Sequence, residues 1–377
     1  MPRSRQLGRA LSGARHRLLA RHARSLTTSA PLRSSAGSLD DAARDEPIAD
    51  RIAFIGAGKM AEAILGGLPP VNWDCTQASD YNTARAGVFK DRFGIRVSLD
   101  NAEVVEGAKV VILAVKPQNV DTALSTVRDS MDPNCVLVSI VAGVPMADLQ
   151  RLSGCPAVVR TMPNTPAMIG KGITVWCATD AVDDDKASKV KRILRAMGDE
   201  ILVQDENLLD MATAISGSGP AYHYMMMEAM VETGVHMGFS RDVARELVVK
   251  TMRGSVEYVI ATGEHPAQLR NDITSPGGTT AAALYEMEKG RFRTVMADSL
   301  WAAYRRSLEM GGHDASIGPV SQRRPAHCFS AVSRPFSAVF PPFLCAVRLP
   351  GAETERTGEK QWWLSGVGDI FRAEPRR

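Results

Sequence analysis

A glycine-rich turn between an apolar run and a helical pattern constrains the fold of this chain more than any other feature. The apolar residues 52–55 lead directly into Gly56-Ala-Gly58-Lys-Met-Ala61, and the helical pattern continues to residue 68. In such a turn the first glycine permits the bend, the second lets a pyrophosphate approach the backbone, and a small third residue lets helix and strand pack closely. The motif predicts a dinucleotide site, and the alternative is a glycine turn in some other α/β protein.

Strand-like and helix-like segments alternate through residues 51–203. Short apolar runs predict strands at 51–55, 75–78, 95–97, 110–115, 136–141, 157–159, 173–177 and 201–203. Amphipathic stretches, among them 83–93 and 183–197, separate these runs. The alternation predicts an α/β domain over residues 51–205, in which a Rossmann-like, doubly wound parallel sheet carries helices on both faces.

The pattern becomes entirely helical after residue 203. Residues 207–310 have a helical pattern with breaks at 216–220, 238–240, 262–266, 275–278 and 290. The segment 221–237 is apolar nearly all round, which indicates burial on more than one side. A small domain buries such a helix most simply against another subunit. We therefore predict an all-α C-terminal dimerisation domain over residues 206–312, through which the chain forms a homodimer.

The composition argues against several classes of protein. Apolar residues make up 45% of the chain, yet no apolar run reaches 18 residues, so we predict no membrane span. Residues 51–312 carry 27 basic and 31 acidic side chains, which argues against nucleic-acid binding. The six cysteines form no Cys-x-x-Cys pair, and with the seven histidines they give no zinc spacing, so we predict no metal site.

Both ends of the chain differ from its body. Residues 1–37 contain eight Arg, several Ser and Thr and no acidic residue, which is typical of an organelle transit peptide. We expect residues 1–45 to be a transit peptide or a disordered leader, and we expect a mitochondrial location, with a plastid or the cytoplasm as alternatives. Residues 313–377 hold seven prolines without a helical or strand period, which predicts an atypical, Pro-rich, disordered tail.

The end of the second predicted strand bears on the choice of cofactor. Ser79, Asp80, Asn82 and Arg85 lie about twenty residues after Gly58, where the adenosine ribose of a dinucleotide binds. An acidic residue there favours the free 2′-hydroxyl of NAD, whereas hydroxyl, amide and guanidinium groups favour the 2′-phosphate of NADP. The residues alone leave both cofactors open.

Three later strand ends face the same crevice, because open sheets bind ligands outside the carboxyl ends of their strands. Lys116 in Leu113-Ala-Val-Lys-Pro could meet a phosphate or the nicotinamide ribose, or it could be a solvated loop residue. Small residues around Ala142 would let the nicotinamide lie flat. The segment Arg160-Thr-Met-Pro-Asn164-Thr-Pro is a rigid, polar stretch at the next strand end.

A second bare turn, at residues 275–278, precedes an alanine-rich segment far downstream. Its two glycines can take positive φ, and Thr279 or Thr280 can cap the helix that follows. Backbone N–H groups at a helix start form a site for an anion. An ordinary turn with an N-cap is the alternative.

Five motifs occur together along the chain. In order, they are Phe54-Ile-Gly-Ala-Gly, Ala114-Val-Lys-Pro, Met162-Pro-Asn-Thr-Pro, Ser216-Gly-Ser-Gly-Pro-Ala-Tyr and Ser275-Pro-Gly-Gly-Thr-Thr. This set resembles the Δ1-pyrroline-5-carboxylate reductase family, which catalyses the last step of proline biosynthesis. The resemblance runs from about residue 51 to residue 310 and covers neither 1–50 nor 313–377.

The resemblance implies a Rossmann domain that binds NADP(H) by preference and NAD(H) as an alternative, and that delivers hydride to the C=N bond of Δ1-pyrroline-5-carboxylate. It also implies a helical domain that intertwines with that of a second subunit, with the dimers assembling into a higher homo-oligomer. The predicted cofactor-binding residues are Gly56, Ala57, Gly58, Lys59, Met60, Ser79, Asn82, Asn101, Ala114, Val115, Lys116, Pro117, Ala142, Asn164 and Ser218.

The substrate contacts that the resemblance implies lie in the helical domain. They are Glu206, Ser275, Gly277, Gly278, Thr279 and Thr280. The backbone N–H groups of residues 277–280 would hold the substrate carboxylate, and the Thr280 hydroxyl would bind the ring nitrogen. Thr280 is the one predicted catalytic residue, because no His or Lys occupies a motif position. Ser218 is predicted to cap the first helix of this domain and to direct that helix end at the nicotinamide.

Two other functions stay open on the residues. A β-hydroxyacid dehydrogenase or a ketopantoate reductase-like enzyme also joins a Rossmann domain to helices. Such enzymes need a general acid–base, commonly a Lys on a helix of the second domain, and residues 212–237 contain no Lys. A non-catalytic NAD(P)-binding isoform is the second alternative, and the unusual tail is the reason to consider it.

Overall fold

The structure is a computed structural model that describes residues 48–318. The predicted transit peptide over residues 1–45 lies outside the described residues, and so does the Pro-rich tail beyond residue 318. The two predictions for the ends of the chain therefore remain predictions.

An eight-stranded sheet forms the first half of the described chain. Its strands are β1 (Ile52–Ile55), β2 (Thr76–Ser79), β3 (Arg96–Ser98), β4 (Val110–Leu113), β5 (Val136–Ser139), β6 (Val158–Met162), β7 (Gly172–Ala178) and β8 (Gly198–Leu202). They lie in the order β3-β2-β1-β4-β5-β6-β7-β8. All eight predicted strands are present, with ends displaced by up to three residues. The prediction of a Rossmann-like α/β fold is confirmed.

The sheet is parallel only as far as β6. There β7 pairs antiparallel to β6, with Arg160 opposite Cys177. A parallel connection needs a crossover of about a dozen residues or more, whereas a short 3-10 turn (Thr165–Ile169) is the one regular element between β6 and β7. β8 then lies parallel to β7. The expected parallel arrangement therefore holds for six strands and fails at the last two.

Six helices of the described chain accompany these strands. They are α1 (Lys59–Gly67), α2 (Thr83–Phe93), α3 (Asn101–Val105), α4 (Val120–Ser125), α5 (Met146–Ser153) and α6 (Asp184–Arg195). β1 and β4 are buried along their whole length, because helices on both faces exclude water from the centre of the sheet. The strand order reverses between these two strands, which is where open sheets bind ligands.

The rest of the described chain is helical, as predicted. Its helices are α7 (Asn207–Ala212), α8 (Gly219–His236), α9 (Arg241–Thr262), α10 (Pro266–Asp272), α11 (Thr279–Lys289) and α12 (Phe292–Met310). Four of the five predicted breaks are confirmed. The break at 216–220 is instead a π-helical turn (Thr213–Gly217) that links α7 to α8, since the Ser218 N–H donates to the Thr213 carbonyl oxygen at 2.8 Å.

This π-helical turn corrects the role predicted for Ser218. The helical part begins at α7 rather than at α8, so Ser218 does not precede its first helix. Its φ and ψ are helical, and its side chain makes no capping hydrogen bond. Ser218 stands at the N-cap position of α8, but the chain reaches it already wound and its side chain caps nothing.

Large apolar side chains are exposed along the helical part of the single chain. They include Tyr224, Met225, Val256, Tyr258, Ile260 and Tyr285. A surface of this kind is typical of a protein–protein interface.

Within residues 48–318, no helix combines the length and the apolar character needed to cross a membrane.

Candidate active site

A cleft of about 520 Å³ opens at the carboxyl ends of β1, β2 and β4. Eight of the predicted cofactor residues line it, namely Gly56, Gly58, Ser79, Asn82, Asn101, Ala114, Val115 and Lys116. Asp80 and Arg85, which bear on the NAD or NADP choice, line it too. Tyr81, which lies inside the segment 79–82 predicted to meet the cofactor, lines it as well. Sequence reasoning missed four further lining residues, Leu99, Asn119, Thr122 and Ala123. These four belong to no motif, and only the packing of loops and α4 around the cleft brings them together.

The glycine turn is shaped so that only glycine fits its first position. Gly56 has a φ of +99°, and a Cβ there would lie 2.6 Å from the Ala114 carbonyl oxygen. The Gly56 N–H also donates to the Ser79 carbonyl oxygen at 2.8 Å. The turn is thus held between the ends of β2 and β4, and the backbone at its surface stays open to a ligand.

The start of α1 fits the pyrophosphate of a dinucleotide. Gly58 is its N-cap and supplies no side-chain cap. The N–H groups of Lys59, Met60 and Ala61 have no hydrogen-bond acceptor among residues 48–318. Free N–H groups and the helix dipole together favour an anion at this position.

Asp80 connects the glycine turn to the end of β2. Its Oδ2 accepts a hydrogen bond from the Ala57 N–H at 2.7 Å, and its Oδ1 accepts one from the Asn82 N–H at 2.8 Å. The Asn82 side chain in turn caps α2 by accepting from the Arg85 N–H at 3.2 Å. This carboxylate therefore fixes the loop that would surround the adenosine ribose.

A second polar pair closes the same end of the cleft. The buried Ser79 hydroxyl donates to Oδ1 of Asn101 at 2.7 Å, and Nδ2 of Asn101 donates to Oγ1 of Thr126 at 3.2 Å. Asn101 begins α3 and Ser79 ends β2. Both were predicted to contact the cofactor, and the structure brings them together.

Arg85 is held by two fixed partners beside the cleft. Its Nε donates to the Ala57 carbonyl oxygen and its Nη2 to Oε2 of Glu62, each at 2.8 Å. The Glu62 side chain is only 6% exposed, and it also pairs with Lys59 and Arg92. Burial acts to raise the pKa of Glu62, but the hydrogen bonds from Arg85 and Lys59 outweigh it and hold this pKa below its usual range.

Seven predicted cofactor residues do not line this cleft, namely Ala57, Lys59, Met60, Pro117, Ala142, Asn164 and Ser218. Asn164 has its amide committed elsewhere, because Nδ2 donates to the Ser216 carbonyl oxygen at 3.1 Å and Oδ1 accepts from the Ile173 N–H at 3.0 Å. Asn164 thus joins β7 to the π-helical turn.

Ala142 lies where the end of α12 packs on the loop after β5. A Cβ on the neighbouring Gly143 would lie 3.1 Å from Met310.

Glu206, a predicted substrate contact, lies where the sheet meets the helices. Its Oε1 accepts from the Met146 N–H at 2.8 Å and from Nη1 of Arg160 at 2.9 Å. Arg160 also donates to Asp210 at 3.2 Å, and the Ser307 hydroxyl donates to the same Asp210 oxygen at 2.7 Å. Sequence reasoning missed this buried network, although an arginine directly after a predicted apolar strand is a signal for one.

The 275–280 turn has the form that the anion-site prediction requires, with one correction. Gly277 has a φ of +71°, and the Gly278 N–H donates to the Ser275 carbonyl oxygen at 3.0 Å. Gly278, rather than a threonine, is the N-cap of α11. The Gly278 N–H is therefore used by the turn, while the N–H groups of Thr279 and Thr280 have no acceptor among the described residues.

This turn is separate from the dinucleotide cleft of its own chain. The residues that line the cleft all lie between Gly56 and Ala123. α11 packs instead against α12.

Within residues 48–318, no three His, Cys, Asp or Glu side chains are grouped so that they could hold a metal ion.

Comparison with known proteins assigns the family. Residues 206–310 match the model for pyrroline-5-carboxylate reductase dimerisation, and residues 51–143 match the model for NADP oxidoreductase, coenzyme F420-dependent. The chain is 41% identical to pyrroline-5-carboxylate reductase of Arabidopsis thaliana, over 69% of this chain and 95% of the relative. This chain belongs to the pyrroline-5-carboxylate reductase family. The corresponding enzyme of Synechocystis is 39% identical over 98% of its length.

Solved structures of the same family share the fold. Pyrroline-5-carboxylate reductase from Coxiella burnetii is 32% identical with a TM-score of 0.64, covering 70% of this chain and 99% of that one. Plasmodium falciparum pyrroline carboxylate reductase, with NADP bound, is 30% identical with a TM-score of 0.63, covering 70% and 98%. The match to the dimerisation model confirms the helical region as a dimerisation domain.

Proposed function

We propose that this chain reduces Δ1-pyrroline-5-carboxylate to proline, with NADP(H) as the favoured hydride donor and NAD(H) as an alternative. The observation that carries the proposal is the free helix start at Thr279 and Thr280, in a chain that also carries a dinucleotide cleft. The substrate joins a carboxylate to a C=N bond in one small ring. An anion site and a nicotinamide are the two things that its reduction needs.

The cofactor fits the residues that are present. The Gly56 turn leaves no room for a side chain, and the open start of α1 offers N–H groups to a pyrophosphate. When bound, the reduced nicotinamide supplies the hydride, and the protein supplies binding and orientation. Ser79, Asp80, Asn82 and Asn101 would surround the adenosine ribose. Ala114, Val115 and Lys116 would border the path towards the nicotinamide.

The substrate would bind through its carboxylate at the head of α11. The N–H groups of Thr279 and Thr280 would donate to it, helped by the positive end of the helix dipole. The Thr280 hydroxyl makes no hydrogen bond within residues 48–318 and is available to the ring nitrogen. A protonated imine is already electrophilic, so hydride addition to its carbon gives the secondary amine without a further acid. Holding the two reactants in line is then the main contribution of the protein.

A dimer would complete the site. The substrate turn does not line the cleft of its own chain, so we propose that each active site combines the dinucleotide cleft of one subunit with the helical domain of the pair. The exposed apolar face of α8 and α9 would be covered in that dimer. We further propose that the dimers assemble into a higher homo-oligomer, which light scattering of the purified chain would test.

We also propose a mitochondrial location, supported by the arginine-rich, acid-free composition of residues 1–37. A fusion of residues 1–45 to a fluorescent protein should enter mitochondria. A plastid or cytoplasmic signal would contradict this location and leave the catalytic proposal unchanged.

The catalytic proposal is tested by following NADPH and NADH oxidation by the full-length chain with three substrates. These are Δ1-pyrroline-5-carboxylate, methylmalonate semialdehyde (the oxo acid that corresponds to hydroxyisobutyrate) and ketopantoate. We expect turnover with the first alone. Turnover of either oxo acid would favour a β-hydroxyacid dehydrogenase or a ketopantoate reductase, and cofactor binding without any turnover would favour a non-catalytic isoform.

A further inference from the structure

Two buried thiols lie in contact at the edge of the sheet opposite the dinucleotide cleft. Sγ of Cys135 is 3.7 Å from Sγ of Cys155, and the two residues are 0% and 4% exposed. Cys135 directly precedes β5, and Cys155 lies between α5 and β6. The amino ends of these two parallel strands meet here, whereas the cleft opens at carboxyl ends. The pair is therefore separate from the residues that would bind the dinucleotide.

The strands place the two cysteines within reach of a disulfide. Leu137 pairs with Val158 in the parallel register of β5 and β6, so Cys135 lies opposite the residue after Cys155 when that register is continued. Neighbouring strands are about 4.8 Å apart, and disulfides usually join Cα atoms about 4.4 to 6.8 Å apart. To bond at about 2.05 Å, the two sulfurs must approach by less than about 2 Å. Rotation of the two side chains can supply a shift of that size.

A small oxidant has a short route to this pair. Asn134 is exposed next to Cys135, and Gly154 and Pro156 are exposed on either side of Cys155. Gly154 ends α5 with a φ of +73°, so the chain turns at the surface directly before the thiol. Segments with a solvent-exposed backbone open locally at a low cost in free energy. Opening of this turn would uncover the sulfurs without unfolding either strand.

The contact between the two sulfurs also supplies a nucleophile. The hydrogen bond from the Cys135 thiol lowers the pKa of Cys155 below the usual value for a thiol, against the opposing effect of burial. The thiolate is the form that reacts with peroxides. Cys177, by contrast, contacts no other cysteine that the structure describes, and burial raises its pKa. The pair thus differs chemically from a single buried thiol.

We propose that Cys135 and Cys155 form a modification site, at which hydrogen peroxide oxidises the two thiols to a disulfide within one chain. The Cys155 thiolate attacks one peroxide oxygen and breaks the O–O bond. This step gives a sulfenic acid and, with the proton that the thiol released, one water. The Cys135 sulfur then attacks the Cys155 sulfur. The S–S bond forms, the S–O bond breaks, and the hydroxyl leaves with the Cys135 proton as a second water, so two electrons pass from the thiols to the peroxide.

The second thiol makes this oxidation reversible. A sulfenic acid without a neighbouring thiol is oxidised further to sulfinic and sulfonic acids, which thiols do not reduce. The disulfide ends the sequence at a state that a dithiol returns to two thiols by exchange. Cys135 therefore protects Cys155 from irreversible oxidation.

Peptide mapping of the full-length chain tests the proposal. The native chain is treated with hydrogen peroxide, unfolded, alkylated and cut with trypsin without reduction. Cleavage after Arg151 separates the two cysteines into peptides 129–151 and 152–160, each of which holds one cysteine. We expect these peptides to appear joined and lighter by two hydrogen atoms than their sum, while a non-reducing gel shows the mass of a single chain. Dithiothreitol should restore both peptides.

Two variants separate the pair from an ordinary buried thiol. Cys135→Ala should lose the joined peptides and carry Cys155 as a sulfinic or sulfonic acid that dithiothreitol does not reverse. Cys177→Ala is the matched control, because Cys177 is also buried, at 2% exposed, but has no neighbouring thiol within the described chain. This control should keep the joined peptides.

The wild-type map alone can overturn the proposal, so the test does not depend on how well either variant folds. Two unmodified thiols, at a peroxide dose that oxidises glutathione in a parallel sample, would overturn it. So would a disulfide between two chains, and so would sulfonic acid at Cys155 of the wild type without any joined peptides.

Discussion

Nη1 of Arg160 lies 2.9 Å from Oε1 of Glu206, so an ion pair joins β6 to the residue just before α7. Arg160 is 4% exposed and Asp210, its second partner, is 1% exposed. Oε2 of Glu206 makes no hydrogen bond within residues 48–318. Glu206 can therefore support the join between sheet and helices and still offer one oxygen to a substrate, as predicted from the family.

Replacing Arg160 with Met should destabilise the fold strongly. The substitution keeps much of the side-chain volume but leaves the buried Asp210 without its cation, and breaking a buried pair in this way costs about 3 to 5 kcal/mol. The free energy of unfolding in urea measures the loss. Arg151→Met is the control, because Arg151 forms an exposed pair with Asp148 and should change stability little. Equal losses in the two variants would contradict the assigned role.

Thr280→Ala should slow turnover while leaving cofactor binding almost unchanged. The hydroxyl has no partner among residues 48–318, so its removal should change the stability of the fold little. The bound substrate, however, would lose the hydrogen bond to its ring nitrogen. We expect kcat to fall by about 100-fold, the order expected when the reacting groups are no longer held in line. Steady-state kinetics and NADPH titration separate the two effects. Thr279→Ala, which keeps both backbone N–H groups, is the control, and full activity in Thr280→Ala would remove the predicted catalytic role.

Gly278→Val should raise KM for the substrate sharply. A Cβ at this position would lie 2.5 Å from Oγ of Ser275, which can rotate away, and 3.2 Å from the Ser275 carbonyl oxygen. The valine would thus add a branched side chain at the head of α11, beside the N–H groups that would hold the substrate carboxylate. We expect an increase in KM of at least about tenfold, with a smaller change in cofactor affinity. Gly87→Val is a suitable control, since a Cβ there meets nothing within 4 Å. A normal KM in Gly278→Val would argue against an anion site at this turn.

The sequence predicted the parts of the fold that depend on local pattern. The runs that form β1 and β4 lack polar residues, so they were predicted as buried strands. The Gly56 turn was predicted because its glycine spacing between a strand and a helix is typical of a dinucleotide site. The reversal of β7 was missed because pairing direction depends on the length of the connection from β6. Apolar runs in the sequence carry no such information.

The candidate site divides in the same way. Gly56 was predicted because the motif places it in the turn after β1, and Ser79 because it lies at the end of the second strand, which opens on the same cleft. Leu99 and Asn119 were missed because their places beside the cleft result from packing between loops. Asn164 was predicted from a polar motif, yet its amide satisfies two backbone groups. A motif shows that a polar group is needed at a position, but only the fold shows which partner it has.

The stability of the fold in acid should depend on Glu62. Its pKa in the folded chain lies below the ordinary value of 4.5, because hydrogen bonds from Arg85 and Lys59 outweigh the opposing effect of burial. A carboxyl whose folded pKa is depressed stabilises the fold fully above its unfolded pKa, and this contribution is lost as the pH falls through the folded value. Glu62→Gln should thus lower the free energy of unfolding at pH 7 by about 1.5 to 3 kcal/mol, the range for hydrogen bonds to charged groups.

The difference between wild type and Glu62→Gln should then shrink as the pH is lowered below 4.5, because the wild-type carboxyl takes up a proton and loses its charge. Urea unfolding of both chains at a series of pH values from neutral to acid measures it. Asp148→Asn is the control, since Asp148 pairs with Arg151 on an exposed helix face of the sheet domain. That variant should differ little from wild type at any pH. A difference for Glu62→Gln that stays constant into acid would mean that Glu62 acts through packing and not through its charge.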